Sequence, residues 1–486
     1  MNDNNNDRNA AWREELRKSM TARERNAIER VEMPQLDPAY RITCNEEVNQ
    51  GISAEQARRE AQRCLDCPNP QCVTGCPVGI DIPGFVKNIE RGEFGKAAAT
   101  IKRTSSLPAV CGRVCPQEKQ CESRCIRLKM KQPAVAIGYL ERFAADWQLV
   151  HGAEEAAPEI VSNGIKVAVI GSGPSGLSFA GDMARRGFDV TVYEALHEIG
   201  GVLKYGIPEF RLPNSIVDHE IDGLRKMGVK FVKNVLVGRT LTYEDLHAEG
   251  FKGVFVGSGA GFPRFMNIAG ENLNGVLSSN EYLTRINLMS AGRGGDTPAP
   301  IAKTIAVIGG GNTAMDSTRT ALRMGAERVI LVYRRSEDEM PARREEIGHA
   351  REEGVEFMTL HNPIEYLGDE KGHVRAMRVQ RMELGEPDAS GRRSPVPVEG
   401  AIEEIPVDLV IVAVGVQPNQ LVPRSIEGLE VSRRNTIVVN EETMQSSVED
   451  LYAGGDIVRG GATVILAMGD GRRAAENMAK QLLDKN

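Results

Sequence analysis

The residues best equipped for chemistry are cysteines. Eight of the nine lie in two clusters, and none follows Cys125. Cys64, Cys67, Cys72 and Cys76 read C-x2-C-x4-C-x3-C-P, while Cys111, Cys115, Cys121 and Cys125 read C-x3-C-x5-C-x3-C. Thiolate suits both zinc and iron–sulfur clusters, so a pair of [4Fe–4S] clusters competes with a pair of four-cysteine zinc sites. The pairs Cys67-Pro68, Cys76-Pro77 and Cys115-Pro116 weigh toward clusters. A bacterial ferredoxin run also ends in Cys-Pro and lends its fourth cysteine to a second cluster. The x4 gap shows that this is not that run itself. Cys44 stands alone and reads as a small apolar residue.

Two glycine turns carry the second chemistry. Gly171-Ser172-Gly173-Pro174-Ser175-Gly176 follows a strand pattern and opens a helix pattern. Such a turn lets backbone N–H groups approach a pyrophosphate. Glu194 ends the next strand, placed to accept from ribose hydroxyls. The second turn, Gly309-Gly310-Gly311-Asn312-Thr313-Ala314, begins 138 residues later. Its following strand ends Val332-Tyr333-Arg334-Arg335 where the first ends Val192-Tyr193-Glu194, so arginine replaces the acid. A guanidinium there binds a 2′-phosphate that a carboxylate would repel, so the second turn should prefer NADP(H). The alternative is a solvated strand end. Arg343 and Arg344 either add to the same phosphate or are exposed helix charges. Asp456, after a strand ending Gly454-Gly455, either bonds a flavin ribityl hydroxyl or caps a helix.

The elements that must position these groups follow from pattern. Residues 1–40 are charged and helical in pattern, read as a loose arm. From 45 to 150 helical stretches (Ser53–Cys64, 82–103, 134–149) alternate with Cys-Pro and glycine turns, predicting a small all-α module whose core is partly inorganic. Strand runs at 165–170, 189–194, Gly253–Val256, 305–308, Arg328–Tyr333 and 408–414, with helices at 176–186 and 314–324, predict two βαβ units. Residues 385–400 read as a solvated hairpin or loop. The expected class is α/β, with an N-terminal all-α iron–sulfur domain before two interleaved Rossmann-like nucleotide-binding domains. The expected division is 1–40 arm, 41–158 cluster domain, 159–287 plus 408–486 FAD-binding domain and 288–407 NADP(H)-binding domain. The chain has 486 residues and a net charge of −7, with no basic stripe, which disfavours nucleic acid and anionic membranes. The polar N-terminus and the lack of a long apolar run predict a soluble, cytoplasmic protein. No C-x-x-C dithiol lies in the nucleotide region, so electrons are expected to leave through the amino-terminal thiols. A rival of another class is a zinc-stabilised, NADPH-binding adaptor without turnover.

The stretches CLDCPNPQCVTGCPVGIDIP, CGRVCPQEKQCESRC, AIGYLERFAADW, GSGPSGL, GIPEFRLP, GGGNTAMD, VYRRSEDEMPARREE and YAGGDIVRGGATVILAMGDGRRAA together resemble the glutamate synthase small-subunit family. That family includes the large subunit of NADH-dependent reduced ferredoxin:NADP oxidoreductase and the N-terminal half of dihydropyrimidine dehydrogenase. The resemblance runs from about residue 35 to the end. It implies FAD, NADP(H) and two [4Fe–4S] clusters with interleaved ligands: Cys64, Cys67, Cys72 and Cys125 for one, and Cys76, Cys115, Cys121 and Glu141 for the other. Cys111 is the alternative to Glu141. It implies FAD contacts at Gly171, Gly173, Ser175, Gly176, Glu194, Gly201, Val202, Arg211, Val237, Gly455, Asp456 and Thr463. It implies NADP contacts at Gly309, Gly311, Asn312, Thr313, Ala314, Arg334, Arg335, Arg343, Ala413, Val414 and Gly415. The implied activity is hydride exchange between NADPH and FAD, with electrons relayed to a partner in a hetero-oligomer. The Cys111–Cys121 spacing points toward the ferredoxin:NADP oxidoreductase branch, of electron-bifurcating type, whose partner is a flavin and [2Fe–2S] subunit working with ferredoxin and NADH. The alternative partner is a glutamate synthase large subunit.

Overall fold

The computed structural model describes residues 7–152, 160–292, 294–387, 391 and 393–484. Up to residue 152 the chain forms helices joined by turns. The main ones are Ala11–Ser19, Ala54–Gln62, Ile82–Glu90, Phe94–Lys102, Pro108–Val114 and Ile137–His151. Their starts are written in the sequence. Ser53 and Gln56 make a reciprocal capping box, and Asp81 accepts from Gly84 N ahead of a helix with proline in its first turn. The single helix expected over 82–103 is two helices. Gly92 separates them at φ +85°, a conformation that stops the first helix.

The expected loose arm is instead a strap. Arg13 and Arg17 both reach the fully buried Asp66, between Cys64 and Cys67. Arg25 donates to Glu90 (2.9 Å) and to Gln62 O (2.7 Å). A turn-rich module leaves carbonyls and carboxylates open inside, and long guanidinium side chains from the arm satisfy them. Residues 1–6 of the arm, and the expected boundary at 158–159, lie outside the described residues.

The strands are β1 Lys166–Ile170, β2 Asp189–Tyr193, β3 Lys230–Val232, β4 Gly253–Val256, β5 Phe262–Pro263, β6 Val276–Ser278, β7 Thr304–Ile308, β8 Arg328–Tyr333, β9 Glu356–Thr359, β10 His361–Gly368, β11 Val374–Pro387, β12 Arg393–Pro406, β13 Leu409–Val412, β14 Val416–Gln417 and β15 Leu451–Ala453. Two parallel sheets result, ordered β15-β4-β1-β2-β3 and β6-β13-β7-β8-β9. Their central strands are near-continuous apolar runs because both faces are covered. β6 and β13 pair in the second sheet, although the expected division assigned both to the first nucleotide unit. The chain therefore crosses over before Val276 and returns after Val412. An antiparallel sheet β10-β11-β12 and the two-stranded β5-β14 complete the fold. The segment expected to be a hairpin or loop is the tip of the β11–β12 hairpin, of which 388–390 and 392 lie outside the described residues.

One apolar core joins the helical module to the first sheet. Phe85, Ile89, Val110 and Cys111 share it with Phe179, Phe255 and Met468. The second sheet has its own cores on its two faces. Among the described residues no helix is long and apolar enough to cross a membrane.

Candidate functional site

The eight clustered thiols sort into an outer and an inner set, and the sorting crosses their order in sequence. Cys64, Cys67 and Cys72 lie on the chain after helix Ala54–Gln62, and Cys125 precedes helix Ile126–Lys129. Together they line a cavity of about 250 Å³. Ile82, Pro83, Val86, Val135 and Ile137 form part of its wall. All four thiols are partly exposed. Burial pushes the Cys64 thiol up to about 11 and raises Cys72 as well, with neighbouring thiols adding to the latter shift. Such thiols ionise only beside concentrated positive charge. The cavity exceeds the needs of one ion. Among the described residues no three His, Cys, Asp or Glu side chains are placed to hold a single metal ion.

The inner set holds Cys76, Cys115, Cys121 and Glu141, with Cys111 beside Cys115. Cys111, Cys115 and Cys121 are buried. Burial raises Cys76 to about 12, and the Glu141 charge adds to it. Two glycines bring these groups together. A Cβ on Gly112 would meet the Arg142 backbone at 2.6 Å, and one on Gly138 would meet Gln117 at 2.3 Å. Only bare glycines let helix Pro108–Val114 and the loop after it lie against helix Ile137–His151. Glu141 is buried, and its Oε1 has no hydrogen-bond partner among the described residues. Burial, followed by the charge of Glu220, pushes its carboxyl up to about 8. A buried carboxylate oxygen left unpaired is costly, and a ligated metal would relieve it. Cys111 has a different neighbour, with its Sγ 3.4 Å from Met468 Sδ. Both arrangements fit iron–sulfur clusters: four thiols about a large cavity, and three thiols with an orphan carboxylate.

At the first glycine turn Gly171 has φ +100°, and a Cβ there would meet Gly257 O at 2.6 Å. A Cβ on Gly176 would meet Gly171 O at 2.0 Å, whereas Gly173 faces open space. That is the cradle a pyrophosphate needs. Ser175 Oγ is buried and has no hydrogen-bond partner among the described residues. Glu194 accepts from Ser172 N (2.9 Å), Ser172 Oγ (2.5 Å) and Leu196 N (2.9 Å), so its carboxylate is fixed at the turn. Gly201 packs on Gly173, and Gly455 on Ser175. Val202 opens the short helix Val202–Tyr205, and Val237 is buried in the core flanking Tyr193. Asp456 accepts from Ala462 N (2.9 Å), and burial raises its carboxyl. Thr463 Oγ1 accepts from Gln120 Nε2 at 3.3 Å, tying this turn to the loop of the inner thiols. Arg211 departs from expectation. Its guanidinium is buried on Asp316 (2.7 Å) and Glu346 (3.1 Å) of the second nucleotide unit.

The second turn repeats the pattern. Gly309 has φ +144°, a Cβ on it would meet Ala413 O at 2.4 Å, and Gly311 faces open space. Gly310 lies on the Tyr333 ring. Asn312 Oδ1 accepts from Arg343 N (2.9 Å), Thr313 O accepts from Ser317 Oγ (2.8 Å), and Ala314 is buried. Val414 is exposed and Gly415 has φ +115° beside open space. The arginines separate. Arg334 is exposed at the end of β8 and pairs with no carboxylate among the described residues. Arg335 is buried and donates to Arg393 O (2.9 Å). The Arg343 guanidinium turns away from the turn and donates to Arg113 O (2.7 Å), Gln117 Oε1 (3.1 Å) and Glu345 (2.8 Å). Arg344 is exposed.

The last helix, Val464–Asp484, runs where the sequence pattern predicts one from about Thr463 to Leu482, but sequence reasoning missed what it packs against. Its Asp470 is fully buried and accepts from Gly455 N, Arg459 and Arg473. A Cβ on Gly469 would meet Pro77 O at 2.9 Å, and one on Gly471 would meet Ser175 O at 2.2 Å. Two glycines inside a long periodic helix were the available signal, because they mark close backbone approach.

Residues 41–153 match the family described as dihydropyrimidine dehydrogenase domain II, 4Fe-4S cluster, and residues 165–471 match pyridine nucleotide-disulphide oxidoreductase. The glutamate synthase [NADPH] small chain of Halomonas elongata is 37% identical over 448 residues, covering 90% of this chain and 93% of that one. The NADP(+)-dependent formate dehydrogenase subunit beta of Moorella thermoacetica is 39% identical over 435 residues, 85% of this chain and 60% of its own. Mycobacterium tuberculosis FprA, solved in complex with NADPH, has a TM-score of 0.56 at 20% identity, covering 66% of this chain and 85% of its own; that likeness shows the fold alone. The zinc and adaptor readings give way to these matches. The chain belongs to the glutamate synthase small-subunit family: it is an NADPH-dependent oxidoreductase whose FAD- and NADP(H)-binding unit follows a 4Fe-4S domain.

Proposed function

We propose that this chain is the pyridine-nucleotide side of a larger redox assembly, passing electrons from its flavin turn through the inner and then the outer thiols to a partner subunit. The observation that carries the reading is contact. Met468, Gly469 and Thr463, in or just before the last helix, touch Cys111, Pro77 and Gln120 of the inner thiol loops, while the outer thiols are the more exposed set. When bound, FAD exchanges hydride with the nicotinamide and the clusters carry single electrons onward.

The residues serve these groups in distinct ways. Gly171, Gly173, Ser175 and Gly176 admit the flavin pyrophosphate, and Glu194 accepts from its ribose. Gly201, Val202, Val237, Gly455, Asp456 and Thr463 border the same crevice. Arg211 acts at one remove, holding the two nucleotide units together. Gly309, Gly311, Asn312, Thr313 and Ala314 cradle the second pyrophosphate, with Ala413, Val414 and Gly415 facing them. Arg334 takes the 2′-phosphate, while Arg335 braces its strand. Cys64, Cys67, Cys72 and Cys125 hold one [4Fe–4S] cluster; Cys76, Cys115, Cys121 and Glu141 hold the other.

The partner we favour is a flavin and [2Fe–2S] subunit working with ferredoxin and NADH, with electrons bifurcated at the flavin. The partly exposed outer thiols and the Cys111–Cys121 spacing support it. The match to glutamate synthase small chains over nine-tenths of both chains supports a second reading, in which an amidotransferase large subunit receives the electrons. Anoxic co-purification separates them by the partner recovered, with NADPH bleaching of the flavin confirming the input side. A colourless chain carrying zinc and no flavin would sink both.

A further inference from the structure

Around the outer cavity the surface differs from the rest of this acidic chain. Helix Ile126–Lys129 begins at Cys125 and ends in a turn with Lys131 at φ +56°. The helix and that turn expose three large apolar side chains within five residues: Ile126 (38%), Leu128 (45%) and Met130 (40%). The exposed charges from Ser123 to Pro133 are all positive: Arg124, Lys129 and Lys131. The cavity's other rim, Cys67–Thr74, carries no charge. Three of the surrounding carboxylates face inward, Asp66 onto Arg13 and Arg17, Glu60 onto Arg63, and Glu122 onto Arg30, while Asp7, Glu24 and Glu29 of the strap are exposed.

The patch is also held rigid. Arg127 is 1% exposed and donates to Pro133 O, Arg25 O and Arg63 O, with one 2.7 Å bond to Asn26 Oδ1. Gln132 N closes the turn onto Arg127 O (3.0 Å). An arginine anchored this way holds its neighbours outward without an ordering cost on binding. An apolar centre flanked by one sign of charge is the anatomy of a protein interface steered by electrostatics.

We propose that this patch docks an acidic protein domain carrying its own one-electron redox centre, seated over the mouth of the outer cavity. The inference rests on the reading that Cys64, Cys67, Cys72 and Cys125 hold a cluster. The occupant follows from charge complementarity, from the apolar centre, and from a redox site that opens where the patch lies. It narrows the partner from any subunit to one with an acidic contact face.

The test uses the full chain, purified anoxically with its cofactors, and the double variant Lys129→Glu, Lys131→Glu. An acidic [2Fe–2S] ferredoxin and a basic c-type cytochrome serve as probe acceptors. Iron content and NADPH bleaching of the flavin are measured on the same samples. The wild type should reduce the ferredoxin at a rate that falls with salt. The variant should be slower by about tenfold with ferredoxin, lose the salt dependence, and keep its rate with cytochrome. Leu128→Ser, which leaves the charges alone, should slow the ferredoxin reaction several-fold. With iron present, an unchanged ferredoxin rate in the charge variant, or equal losses with both carriers, overturns the docking surface. So does charge-dependent binding to phosphatidylserine vesicles with carrier rates unaltered, which would make the patch a membrane contact. Iron missing from the outer thiols would bring down the underlying reading instead, and the patch with it.

Discussion

The outer and inner thiol sets use the same element and the same residue type, yet they are built for different neighbours. The outer four are partly exposed around a cavity of about 250 Å³, steadied by arginines from the N-terminal strap. The inner three cysteines sit with a carboxylate beneath the last helix of the flavin unit, and two of them are buried. On the proposed assignment of the clusters, burial decides who can exchange electrons with whom: the inner set faces the protein's own flavin turn and the outer set faces the solvent side. The difference teaches that direction is set by packing, since ligand type is nearly shared.

The largest expected effect tests that division. Cys72→Ser should remove about half of the iron and cut transfer to external carriers on the order of 100-fold, leaving NADPH reduction of the flavin intact. Cys121→Ser should cost the same share of iron but also break the path from flavin to the outer set. Electron paramagnetic resonance of the reduced proteins, with stopped-flow bleaching, reads both. Equal behaviour of the two variants toward the flavin and toward external carriers would erase the distinction between inner and outer.

How far this was legible in the sequence depends on what kind of signal each part leaves. The glycine turns, β8 and β4 were readable because tight turns and buried strands demand particular residues at fixed offsets. The interleaving of Cys76 and Cys125 across the two sets was implied only by resemblance, because spacing along the chain does not report which loops meet. Arg211 and Arg343 show the limit more sharply. Both are arginines in suggestive motifs, and both spend their guanidinium on long-range partners, Asp316 and Gln117. The loose reading of residues 1–40 failed for the same reason. Charge density suggested solvent, but Arg13 and Arg25 point inward to a carboxylate and a carbonyl over 35 residues away.

A second test concerns what ties the helical module to the second nucleotide unit. Arg41 of the helical module joins Arg319 and Arg323 on Glu353 of the second nucleotide unit. Burial would raise the Glu353 carboxyl, but the arginines outweigh it and hold it at about 2, below its ordinary 4.5. A depressed carboxyl contributes stability that is present above pH 4.5 and lost as pH falls toward 2, worth about 3 kcal/mol across that window. Glu353→Gln should lose about 3 kcal/mol or more at pH 7, because three buried guanidiniums lose their counter-charge. It should also flatten the acid limb. Urea melts at a series of pH values measure both, and an acid limb as steep as the wild type's would remove Glu353 from the clamp.

A third, smaller effect is expected at the close approach that assembles the inner set. Gly112→Ala puts a methyl 2.6 Å from the Arg142 backbone. Neither helix can yield cheaply there, so about 1–3 kcal/mol of stability should go, along with iron from the inner set in preference to the outer. Gly79→Ala is the matched control: it has open space around it but φ +66°, so it should cost only the backbone strain. Loss of outer rather than inner iron in Gly112→Ala would contradict the placement of Cys111 and Cys115 against Glu141.

The nominations of Arg334 and Arg335 divide on the same principle of exposure. Arg334 is exposed while Arg335 is buried against Arg393 O. Arg334→Ala should lower the kcat/KM preference for NADPH over NADH by about tenfold, because one charge-assisted pairing with the 2′-phosphate is lost. Arg335→Ala should reduce stability with little change in that ratio. A larger shift in preference from Arg335→Ala than from Arg334→Ala would reverse the roles.

The smallest effect separates the two candidates for the inner set's last position. Glu141 has a buried oxygen with no partner, whereas Cys111 has Met468 Sδ at 3.4 Å. An orphan carboxylate gains most from a metal, and a thiol already hydrogen-bonded to Cys115 and seated on Met468 gains less. Cys111→Ser should therefore leave the iron content within about a tenth of wild type, whereas Glu141→Gln should deplete the inner iron or alter its electron paramagnetic resonance signal. If Cys111→Ser depletes that iron and Glu141→Gln does not, then all four inner ligands are thiols. The carboxyl pushed up to about 8 would then be a neutral acid buried beside them, and the two sets would differ in exposure alone.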